Sequence, residues 1–142
     1  NQETVEQAHA AFREAVQRAP QHAVVYGSWG GLLLAEGKLH PALEMFSKAV
    51  DLDATDLAAW INLGQIQLAL GRIPEARFSF ERAHAIAPRL VPPLIGLAES
   101  AFRMGDTDAA SAAIEQALAI EPENEAALAL EDKIRKGPPD AS

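Results

Sequence analysis

Shifted against itself by 34 positions, the chain stays in register without an insertion. Ala8, Ala42, Ala76 and Ala110 fall in one column, and Phe12, Phe46, Phe80 and Ile114 in a second. Ala15, Ala49, Ala83 and Ala117 form a third, Gly37, Gly71 and Gly105 a fourth, and Pro20, Ala54, Pro88 and Pro122 a fifth. A unit this short cannot bury its own apolar face, so each copy must stack on the next.

Each column has a physical reason. Alanine lets two helices approach closely, and the Phe or Ile fills the space left between neighbouring pairs. Glycine takes the left-handed backbone that ends a first helix. Pro41 and Pro74 suit the opening turn of a second helix, and Pro88 and Pro122 close it. Pro92 and Pro93 belong at a helix start for the same reason. The spacing therefore predicts a lone helix over about Thr4 to Ala19, within an incomplete first repeat 1–22. Three helical hairpins follow at 23–56, 57–90 and 91–124, then a capping helix 125–136 with Ala127, Leu128, Leu130 and Ile134 on its apolar side. Residues 137–142 read as a disordered tail. Thr4-x-x-Gln7 offers a capping box, and Thr55-Asp56 and Asp106-Thr107 offer later N-cap oxygens.

Within the middle copy, Trp60, Leu63, Gly64, Ala76, Phe80 and Pro88 resemble the Trp-x2-Leu-Gly-x2-Tyr, Ala-x3-Phe, Pro pattern of the tetratricopeptide repeat family. Gln67 departs from it, standing where the pattern has Tyr. The resemblance implies an all-α, right-handed superhelical solenoid of antiparallel helix pairs, spanning 1–136 as one domain. It also implies a concave groove lined by the first helix of each pair. On those positions stand Gly27, Gly31 and Leu34, then Ile61, Asn62, Gln65 and Leu68, then Ile95, Glu99, Phe102 and Arg103, with Pro92 and Gly96 beside them. Family members that grip an acidic chaperone tail use a Lys, Arg and Asn cluster there. Only Asn62 and Arg103 have counterparts, and Gly27 and Gly31 occupy places where a Lys and an Asn would be needed. The amides of Asn62 and Gln65 suit a peptide backbone instead.

Gly27, Gly30 and Gly31 surround Trp29 in one helix, where each glycine costs on the order of 1 kcal/mol relative to Ala. Gly30 matches the family's small contact residue. Gly27 and Gly31 either form a depression for a partner's side chain or are kept small by Tyr26 and Trp29.

Charge and composition narrow the function. Twelve Lys plus Arg against 20 acids leave a net charge of −8, which argues against phosphate-backbone or anionic-membrane partners. With no cysteine there is no disulfide or thiolate metal site, and no apolar run is long enough to span a membrane. Cytoplasm is the default compartment, with periplasm open, and alanine richness with acidity suggests a bacterial source. His9, His22, His40 and His84 are scattered and read as surface or capping residues. No nucleophile elbow, phosphate loop or dinucleotide fingerprint occurs. The expectation is a non-catalytic scaffold, with no catalytic residue, metal or cofactor, that holds a protein or peptide segment in its groove. Two alternatives stand beside it. One is a self-assembly module, joined through the N-terminal helix or through the contrast between Arg72–Arg103 and the acidic stretch Asp106–Asp132. The other is a substrate-recruiting segment of a larger enzyme.

Overall fold

The computed structural model describes residues 1–137. It is all-α, with eight helices and no strand among the described residues. They are α1 (Gln2–Arg18), α2 (Ala23–Ala35), α3 (Leu39–Leu52), α4 (Leu57–Ala69), α5 (Ile73–Ile86), α6 (Val91–Arg103), α7 (Thr107–Ile120) and α8 (Glu125–Lys136). The predicted tail, apart from Gly137, lies outside the described residues.

The repeat register reappears in the backbone. Gly37, Gly71 and Gly105 take φ of +76°, +77° and +81°. At each, the glycine N–H and the next N–H fold back on the preceding helix: Gly37 to Leu34 O and Lys38 to Leu33 O, both 2.9 Å. Gly71 and Arg72 bond Leu68 and Gln67 in the same way, and Gly105 and Asp106 bond Phe102 and Ala101. Three equivalent Schellman turns thus stop α2, α4 and α6 and launch α3, α5 and α7. Asp106 and Asn124 also cap with their side chains, accepting from the N–H groups of Ala109 and Ala127. At α1 the cap is Asn1, whose Oδ1 accepts from Thr4 N at 2.9 Å, so the Thr4–Gln7 box does not form. Asp56 caps α4 through Ala59 N, while Thr55 turns back to Asp53.

The chain divides into two compact units, Asn1–Ala59 and Trp60–Ser142. In the first, α1 packs on α2 and α2 on α3. Gly30 lies under Phe46, whose ring a Cβ would meet at 3.0 Å. Trp29 stacks on Phe12 with centroids 6.1 Å apart. Its Nε1–H donates to His9 Nδ1 at 3.0 Å, and His9 Nε2–H donates to Glu36 Oε2 at 2.7 Å. His9 is therefore an internal linker between α1 and α2, not a surface residue; its partners lie 20 and 27 residues away, beyond any local spacing rule.

In the second unit α5 packs on α6, α6 on α7, and α8 on both α6 and α7. Ala76, Ala83, Ala110 and Ala117 are completely buried, as the column argument requires. Phe80, 1% exposed, sits between two glycines. A Cβ on Gly64 would lie 2.8 Å from its ring and one on Gly96 only 2.5 Å. The polar residue at the family's Tyr position is also satisfied: Ser79, 1% exposed, donates Oγ–H to Gln67 Oε1 at 2.6 Å. On α8, Ala127, Leu130 and Ile134 are buried, whereas Leu128 is 42% exposed and does not join them.

Two stability outcomes follow from this packing. Gly96→Ala gains helix propensity of about 1 kcal/mol but forces a Cβ into a ring that cannot retreat, an overpacking cost of about 1–3 kcal/mol. Thermal unfolding should show it destabilised, whereas Gly31→Ala, which meets nothing within 4 Å, should be stabilised. Ser79→Ala orphans the Gln67 amide and should cost about 1–3 kcal/mol in denaturant unfolding, and adding Gln67→Leu should recover most of that loss.

Candidate functional site

An open cleft of about 470 Å³ lies within the second unit. Gln65 and Leu68 of α4 form one wall, Pro92, Ile95, Gly96 and Glu99 of α6 the floor, and Ala126, Ala129, Leu130 and Lys133 of α8 the other wall. Phe80 closes the bottom. The local reason is Gly96: without a Cβ there, α6 both seats the Phe80 ring and leaves it within reach of the cleft. The lining is apolar except for the Gln65 amide, the Glu99 carboxylate and the Lys133 ammonium. Glu99 Oε1 accepts from Arg103 Nη2 at 3.1 Å, while Oε2 is buried without a donor among the described residues.

Four of the groove residues expected from sequence, Gln65, Leu68, Ile95 and Glu99, are thus brought together. Ile61 and Asn62 are half-buried on α4 and do not line the cleft. Phe102 is 8% exposed and packs in the core with Leu94 and Ile114. Arg103 is exposed and engaged with Glu99. Gly27, Gly31 and Leu34 lie on α2 in the first unit. A Cβ on Gly27 would come no nearer than 3.8 Å to Asp56 Oδ2, and one on Gly31 would meet nothing within 4 Å, so Trp29 leaves room for a Cβ at both. The α8 wall was not foreseen. Its signal was the spacing of Ala126, Ala129 and Lys133, one helical face beside the buried Ala127, Leu130 and Ile134.

The first unit has its own cleft, lined by Glu6, His9, Ala10, Arg13, Trp29, Leu33, Lys38 and Pro41. Its chemistry is already spoken for. Because Trp29 donates to Nδ1, the His9 ring carries its proton on Nε2, facing Glu36. Lys38 Nζ reaches the other Glu36 oxygen at 2.8 Å. The Lys38 bond, ahead of the bond from His9, holds the Glu36 carboxyl below its ordinary 4.5 despite some desolvation. Asp106 is lowered similarly, first by the Ala109 N–H and then by Arg77, whose Nη2 lies 3.0 Å away. Among the described residues no cluster of His, Asp or Glu could hold a metal ion, and no helix is long and apolar enough to cross a membrane.

The tetratricopeptide repeat family model matches residues 33–79 and 75–134. The human protein O-mannosyl-transferase TMTC3 is 32% identical over 90 residues, 63% of this chain but 10% of that protein. The chain thus spans about a tenth of the length of the curated relatives it matches. Among solved structures, MamA superposes with a TM-score of 0.81 at 22% identity, covering 95% of this chain and 79% of that one. The first repeat domain of Spaghetti (RPAP3), bound to the HSP90 peptide SRMEEVD, gives 0.76 at 22% identity, over 82% and 92%. These likenesses show the fold.

Two measurements check the Glu36 network. Histidine ring ¹⁵N correlations at neutral pH should show the Nε2–H tautomer for His9, and an Nδ1–H tautomer would contradict the Trp29 bond. A carboxyl lowered on folding contributes stability that is complete above its ordinary value and is lost as pH falls through the lowered one. Glu36→Gln should therefore lose less melting temperature than the parent as pH drops from about 5 to about 3.

Proposed function

The chain belongs to the tetratricopeptide repeat family, and from that premise we propose that it is a non-catalytic scaffold holding a peptide segment of a partner protein in the cleft between α4, α6 and α8. The observation that carries this reading is the cleft itself. It is an open apolar trough of about 470 Å³ rimmed by three polar side chains, the composition of a site that buries a partner's side chains and orients them with few polar groups. The Gln65 amide supplies both a donor and an acceptor for an extended or helical backbone. That Spaghetti was solved with a peptide supports the same use of the fold. On this reading Ile61, Asn62 and Arg103 extend the contact surface along α4 and α6, and Gly27, Gly31 and Leu34 offer a second, shallow surface on α2.

Two other uses have an observation each. No residue of α1 is fully buried, and Val5, Ala8, Phe12 and Val16 are half-exposed, which favours self-association through that helix. Light scattering over a concentration series reads it directly. The likeness to a stretch of a mannosyltransferase favours a recruiting segment of a larger enzyme; the isolated chain would then bind peptide and turn over nothing.

A displayed random-peptide selection tests the main reading. Peptides should be enriched on the parent chain and lost on Ala129→Trp and Gln65→Trp, each of which places an indole in the cleft from an exposed helix position. Absence of enrichment, or peptides that bind both variants as well as the parent, removes the proposal.

A further inference from the structure

Glu99 is the polar group of the cleft whose needs the protein leaves unmet. Its Oε1 is paired with Arg103, itself exposed, but its Oε2 is buried with no donor among the described residues. The Glu99 side chain keeps 21% of its surface exposed and has one oxygen without a donor, so its carboxylate favours a ligand that brings a donor, and a charged one most of all. The surroundings agree. The chain carries −8 overall, and Phe80, Leu68 and Ile95 give an apolar, weakly screening bed beside the carboxylate. The opposing charge, Lys133, stands on α8, so the two ionic groups sit on different helices of the cleft, one at the floor and one on a wall. An acidic segment would meet Glu99 at the floor, where it is least screened.

Resting on the peptide-scaffold reading, we infer that the occupant of this cleft is a segment carrying an Arg or Lys next to an apolar side chain, the cation pairing with the Glu99 carboxylate and the apolar group lying on the Phe80 side of the cleft. This polarity is opposite to that of a clamp for an acidic tail. It also assigns Glu99 a specificity role that its ion pair with Arg103 does not account for. Exposed i,i+4 pairs stabilise a helix by only a few tenths of a kcal/mol and do not need a buried second oxygen.

The test uses peptides from the cleft-dependent selection, synthesised with Arg and with citrulline, its neutral isostere, and measured by fluorescence anisotropy against the parent chain. Selected peptides should carry a basic residue beside an apolar one, and citrulline should weaken binding about tenfold. Against Glu99→Gln the two peptides should bind alike, which a general loss of folding would not produce; circular dichroism confirms helicity. Cleft-dependent peptides that lack a basic residue, or an Arg-to-citrulline ratio unchanged in Glu99→Gln, overturn the inference and leave the scaffold reading intact. A selection that yields no cleft-dependent peptide overturns both.

Discussion

The second unit depends on one steric fit: the Phe80 ring between the backbones of Gly64 and Gly96. A ring 1% exposed with added Cβ atoms excluded at 2.8 Å and 2.5 Å has no free direction of movement. It therefore sets how closely α4, α5 and α6 approach one another. Fully burying such a side chain contributes about 1.5–3 kcal/mol, and its loss to Ala costs about 3–5 kcal/mol because the two glycines cannot collapse into the space. The alanines at 76 and 83, completely buried four residues before and three after Phe80, are the complementary requirement on the same face of α5.

The same fit creates the cleft. A side chain at position 96 would both push the ring away and roof it over. With glycine there, the ring becomes the bottom of a trough whose walls come from α4 and α8, two elements before and two after α6. Core packing and the cleft are consequences of one missing Cβ, and they cannot be altered separately at that position.

Polar groups show a parallel economy. Gln67 departs from the family's aromatic and is matched at 2.6 Å by the buried Ser79, so a half-buried amide is satisfied from the facing helix. His9 is matched on both nitrogens, by Trp29 and Glu36. Glu99 Oε2 is not matched, and it lies on a residue that lines the open cleft. Among the described residues His84 Nδ1 is also buried without a partner, but of the two residues Glu99 alone lines the cleft.

The sequence alone determined the all-α class, the repeat length, the glycine turns and the alanine and phenylalanine contacts. Each of these is a local rule recurring at a fixed interval, and repetition makes a weak local preference legible. It also placed Gln65, Leu68, Ile95 and Glu99 on one surface, through the family's pattern of inward positions. Tertiary structure alone decided that Gly96 seats Phe80, that α8 walls the cleft with Ala129 and Lys133, that His9 bridges two helices, and that one oxygen of Glu99 has no donor. Those facts depend on side-chain direction and on distances between residues far apart in the chain. A periodic pattern specifies which face a residue occupies, but not which atom of another helix it will meet.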